Sequence, residues 1–169
     1  MTQAVNLATV GSNATATGTT LTSGTAQATT SGTSIDFTGI PSWAKRITIS
    51  LRGTSTTGAS NYQLQIGSGS VDTTGYISVF IEAAPSSATT GFLLTSSVAA
   101  ANTRSGTLVL TTLGSNVWVA ASVYCRTDSA TIGVGSGDKA LAGVLDRVRL
   151  TTVNGTDTFD AGSVNILFE

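Results

Sequence analysis

From Ser34 onward the apolar residues of this chain recur at every second position, and that period confines them to β-strands. In Arg46-Ile47-Thr48-Ile49-Ser50-Leu51-Arg52, Ile47, Ile49 and Leu51 fall on one side and four polar residues on the other. A pleated strand stacks such residues on a single face, whereas a helix would scatter them around its axis. Tyr62-Gln63-Leu64-Gln65-Ile66 repeats the pattern, as do Arg147-Val148-Arg149-Leu150-Thr151 and Val164, Ile166 and Phe168. Val117, Val119, Ala121 and Val123 form one face of a further strand, with Trp118, Ser122 and Tyr124 opposite. Thr107 to Leu113 is strand-like through its β-branched and aliphatic content.

Turn residues separate these runs. Gly114-Ser115-Asn116 predicts a hairpin turn, and Gly67-Ser68-Gly69-Ser70, Asn154-Gly155 and Gly133-Val134-Gly135-Ser136-Gly137 predict further turns or flexible loops. Ser96 to Arg104 is the one helix candidate, and its Val98-Ala99-Ala100-Ala101 suits a loop equally well. About eight strands with short connections imply an all-β, antiparallel β-sandwich, jelly-roll-like in topology.

The first 33 residues differ. Val5 to Val10 reads as a short strand, but Ser12 to Thr33 is almost entirely Ser, Thr, Ala, Gly and Asn, with Leu21 and no charge. Such a tract buries too little apolar area to offset its own ordering entropy. Residues 1–33 are therefore expected to form an N-terminal arm, either loose or ordered on another chain, and residues 34–169 the sandwich head.

Composition removes several functions. Charged residues make up 10% of the chain and the net charge is −1, so the concentrated basic patch that nucleic acid requires is not expected. No run approaches the 18 apolar residues of a spanning helix, so membrane insertion is not expected; the N-terminus lacks the basic and apolar regions of a signal peptide. There is no histidine, the commonest general base and metal ligand. The single cysteine, Cys125, cannot form an intrachain disulfide; between Tyr124 and Arg126 in a strand-like run it is expected to be buried and inert.

The remaining candidates for chemistry read better as structure. Lys45 and Lys139 lack the Ser-x-x-Lys context of a serine nucleophile. Asp157 and Asp160, three apart, can be a carboxylate pair or part of a calcium loop, but Asp in a strand connection more often makes local Asx turns. Gly133, Gly135 and Gly137 are not followed by a helix, which removes the physical basis of a phosphate cradle. Asn13 and Asn154 sit in Asn-x-Thr triplets that so Thr-rich a chain produces by chance. Trp43, Trp118, Tyr62, Tyr76 and Tyr124 are available to stack on sugar rings, although core or interface packing is the more common use. Asp146-Arg147-Val148-Arg149 supplies charges able to pair across strands. No catalytic residue, cofactor or metal site is expected.

Three segments carry a resemblance. They are Asp36-Phe37-Thr38-Gly39-Ile40-Pro41-Ser42-Trp43-Ala44-Lys45-Arg46-Ile47-Thr48 with Gly53 to Gly58; Asn61-Tyr62-Gln63-Leu64-Gln65-Ile66-Gly67 with Thr73-Thr74-Gly75-Tyr76; and Gly143 to Thr152 with Gly155 to Ile166. In this order they resemble a β-rich domain at the C-termini of tailed-phage tail-fibre and other virion structural proteins, over Ser34 to Glu169. The resemblance implies a non-enzymatic role on the virion exterior after synthesis in the host bacterial cytoplasm. It also implies a homotrimer, with the arm attaching to other tail or capsid proteins. With only about 33 residues before the domain and no extended shaft, a short tail fibre or a capsid-decorating (head-fibre) protein fits better than a long receptor fibre. A lectin-like module for host-surface glycan is the alternative, and a glycan-degrading enzyme would need two carboxylates at a defined separation.

Overall fold

The computed structural model describes residues 21–169 apart from Ala101. Its elements are β1 (Thr22–Ser23), β2 (Gln27–Ala28), β3 (Ser34–Thr38), β4 (Arg46–Thr56), β5 (Tyr62–Ser68), β6 (Ser70–Val71) and β7 (Ile77–Ile81). They continue with β8 (Pro85–Ala88), β9 (Phe92–Leu93), β10 (Arg104–Gly114), β11 (Val117–Arg126), β12 (Thr131–Ala140), β13 (Arg147–Thr152) and β14 (Phe159–Phe168). The protein is an antiparallel β-sandwich. Its large sheet runs β1-β14-β4-β10-β11-β12-β7-β8, with β2 also on β14; its small sheet runs β3-β13-β5-β6, with β9 on β5. The chain crosses between sheets at β2–β3, β3–β4, β4–β5, β6–β7, β8–β9, β9–β10, β12–β13 and β13–β14, while β10, β11 and β12 form a meander within the large sheet.

The alternating runs supply the core. Ile47 and Ile49 of β4 and Leu110 of β10 face Ile66 of β5 and Val148 of β13, all fully or almost fully buried. Each such aliphatic side chain contributes roughly 1.5–3 kcal/mol of burial free energy. The expected hairpin is present: Ser115 and Asn116 join β10 to β11 with φ of 49° and 62°, the left-handed pair that a two-residue type I′ turn demands.

One expectation is corrected. Gly133 to Gly137 is neither turn nor loop but the middle of β12, paired along its length with β11 and, from Val134, with β7. Its glycines face inward, and at two of them Phe80 leaves no room for a side chain: a Cβ at Gly135 would stand 2.5 Å from the Phe80 ring, and one at Gly133 would overlap it. Ser96 to Thr103, open between helix and loop from its sequence, is loop where described, and Arg104 opens β10. The boundary at Ser34 is crossed by strand pairing, because Thr22–Ser23 and Gln27–Ala28 lie antiparallel on β14. The backbone edge of β14 offers hydrogen bonds that compositional arguments about side chains do not count. Thr29, fully buried, closes this stretch by donating its Oγ1 to the Ala161 carbonyl at 2.6 Å. The expected strand over Val5 to Val10, and the arm before Leu21, lie outside the described residues.

Candidate functional site

The three segments that carry the resemblance meet in the small sheet. β13 lies between β3 and β5, in register from Arg147 to Thr151 against Thr38 to Ser34 and from Arg147 to Thr152 against Gly67 to Tyr62. On its outward face, Arg149 donates to both oxygens of Asp36, its register partner, at 2.7 and 2.8 Å. Arg147, in contrast, turns to its chain neighbour Asp146 at 2.7 and 3.1 Å. Gln63 and Gln65 also point outward yet are buried, since the Thr90 segment lies over them: Gln65 Nε2 donates to the Thr90 carbonyl at 2.9 Å and Thr90 Oγ1 to Gln63 Oε1 at 2.8 Å. Together with Thr73, Thr151 and Asn154 these groups line a cleft of about 310 Å³. Amides, hydroxyls and one guanidinium in a fixed sheet suit recognition of a neutral or weakly anionic polar ligand through hydrogen bonds.

The stacking platforms are elsewhere and mostly closed. Trp118, Tyr62, Tyr76 and Tyr124 are all core residues. Only Trp43 keeps substantial exposure, 45%, and its ring packs at a tilt on Phe168 with centroids 5.8 Å apart. The three tyrosines are the whole tyrosine complement, and burial raises each hydroxyl above its ordinary value of about 10. An acid group raised by folding stabilises the fold below its unfolded value and loses that contribution as pH rises. Tyrosinate absorbance should therefore stay flat through the region near pH 10 where a free tyrosine titrates, and appear only at higher pH together with loss of β-sheet circular dichroism. A rise near pH 10 with the fold intact would show that at least one of these tyrosines is open to solvent.

The other candidates are held in structural roles. Asp157 accepts the Ser60 amide at 2.9 Å and Asn154 Nδ2 at 2.7 Å, while the Asn154 side chain in turn accepts the Thr156 amide at 3.0 Å, so this loop is an Asx-type turn network. Asp160 is engaged separately by Ser55 Oγ. Among the described residues no group of three or more His, Cys, Asp or Glu is placed to hold a metal ion. Lys139 points inward, 2.9 Å from Asp72 and 5.3 Å from the centre of the Tyr76 ring. Lys45 is exposed, and its backbone amide donates to the Glu169 carbonyl at 2.6 Å. Cys125 corrects its expectation: it is half-buried, on the outward face of β11 beside Val123 and in register with Ile132 of β12. The inward face of β11 belongs to Trp118, Ala120 and Tyr124, because the aromatic rings fill the space between the sheets.

Two features escape sequence reasoning. One is a buried ion pair: Arg104 binds Glu82 with both side chains almost fully enclosed, and donates Nη2 to the Ser97 carbonyl at 2.5 Å. Among the described residues, Arg104 Nε and Glu82 Oε2 have no further partner, and Ser96 Oγ and Tyr124 OH are likewise buried without one. The other is the outward face of the large sheet, which divides in two. Over β14 and β4 it presents polar residues such as Asn165, Thr48 and Ser50, whereas over β11, β12 and β7 it presents Val123, Ile132, Val134, Ile77, Val79 and Ile81, each 46–67% exposed. Set beside known proteins, the chain matches no family model, no curated protein and no solved structure.

Proposed function

We propose that this chain is a non-enzymatic structural protein of a tailed-bacteriophage particle, exposed on the exterior as a short tail fibre or a capsid-decorating head-fibre protein, and assembled as a homotrimer. The observation that carries the reading is the convergence just described: strands β3 and β5, from the first two segments, flank β13, from the third, although β13 lies far along the chain from both, and the segments that together resemble virion proteins so become one sheet. They act as a unit of structure, not as scattered similarities. The sparse charge agrees with it, since buried apolar area, unlike surface ion pairs, is not screened by salt.

The reading is tested on particles. Immunogold labelling should place the protein on the outside of the tail or capsid. A chain beginning at Leu21, which keeps β1 and β2 on β14, should retain its circular dichroism and cooperative melt yet fail to join particles lacking the wild-type protein. Absence of the full chain from purified particles would overturn the proposal; normal incorporation of the shortened chain would move attachment onto the sandwich itself.

The cleft over Gln63, Gln65 and Arg149 favours a second reading, a glycan-binding module for the host surface. Binding of the isolated protein to a glycan array, lost on Arg149→Ala with the fold intact, would establish it; an array without signal would remove it.

A further inference from the structure

We propose that the apolar half of the large sheet's outward face, over β11, β12 and β7, is where a second copy of this chain packs. The inference rests on the assembly part of the reading above and needs nothing from its phage part. Along β7 the usual rule is inverted: Ile77, Val79 and Ile81 point to solvent while Ser78 and Phe80 point inward. β12 places Ile132 and Val134 outward over inward glycines, and β11 adds Val123. The register brings these residues together, since Val134 lies opposite Ile81 on one side and Val123 on the other. Strands that are apolar on both faces are the pattern of sheets covered on both faces.

Size and charge point to the occupant. The six side chains expose on the order of 500–600 Å² in one patch, at the upper limit of what a typical monomer leaves open. With their polar surround they approach the roughly 800 Å² per partner of a standard interface. Within these rows the one charged side chain pointing outward is Asp138, at the Ile77 end. Lys139, the next residue, turns inward to Asp72. A patch without a charged centre offers nothing for an oppositely charged partner to read, and meets its own copy without like-charge repulsion.

Light scattering on the full chain from about 1 to about 100 µM, the range in which a micromolar association is visible, should give a multiple of the 17.0 kDa chain mass. Ile132→Lys with Val134→Lys buries unpaired charge only if this face is covered, so it should weaken association by about 100-fold or more while leaving circular dichroism unchanged. Thr48→Lys, on the polar half, should leave the mass as it is. Cys125, beside Ile132, supplies a readout in the wild-type protein that needs no variant: its labelling by a thiol reagent should speed up about tenfold on dilution through the dissociation range. A wild-type monomer at the highest concentration overturns both the face and the assembly reading, leaving the particle test of location untouched. An oligomer whose mass and thiol rate survive the double substitution overturns the face alone.

Discussion

Gly133→Ala should destabilise the sandwich by about 1–3 kcal/mol, the ordinary range for forcing extra volume into a packed interior, and Gly133→Val by more. The site sits in the middle of β12 with the Phe80 ring directly beneath it, and Phe80 is 1% exposed. Gly133 has none of the positive φ values found at turn glycines such as Gly39 and Gly155. Its backbone therefore accepts an L-residue, and the whole penalty is one of space. In a flexible loop the same change would be neutral or would stabilise by about 0.4–1 kcal/mol through the unfolded chain, so the sign of the effect decides between strand and loop. Chemical denaturation measures it. Shrinking the ring should relieve the clash: in a double-mutant cycle with Phe80→Leu, Gly133→Ala should lose much of its effect.

The second large effect is expected at the buried ion pair. Glu82→Ala leaves the Arg104 guanidinium enclosed with, among the described residues, only the Ser97 carbonyl to bond. Removing one partner of such a pair costs about 3–5 kcal/mol, much of it the penalty of a charge left unpaired. Replacing both, as Glu82→Leu with Arg104→Met, should restore most of the loss, because apolar groups of similar volume need no partner. If Glu82→Ala lowers the unfolding free energy by less than about 1 kcal/mol, in the range of an exposed pair, then water reaches this site and the pair is not structural.

What could be read in advance follows from where side chains carry the pattern. β4, β13 and β14 were legible because Ile47 and Ile49, Val148 and Leu150, and Val164 and Ile166 alternate with polar residues and are buried as alternation requires. β12 was not, because alternation is invisible where the inward positions hold glycine: the residues that fill that space, Phe80 and Phe92, come from other strands. β7 was missed for the complementary reason, its aliphatic residues lying on the solvent side. The Arg104–Glu82 pair joins residues 22 apart, and only the register of β10, β11, β12 and β7 makes them neighbours. Asp36 and Arg149 sit 113 apart, yet pairing of the charges around Arg149 across strands was readable, because an alternating strand shows which face its charges take. The polar cleft was not legible as a site, since it depends on Thr90 folding over Gln63 and Gln65.

The way residues 22–29 join the sandwich also determines how the molecule meets tension. A pull entering from the N-terminal side first reaches two strands of two residues each, held on β14 through the pairs Thr22–Phe168, Ser23–Leu167, Gln27–Val164 and Ala28–Ser163. These can peel away in sequence, releasing about 3.3–3.6 Å of length per residue, before the load arrives at Thr29. There the side chain is fully enclosed and bonded to Ala161, and behind it stands the long pairing of β14 with β4. Under such a pull the two short pairings should give way first, while the layers behind them stay closed.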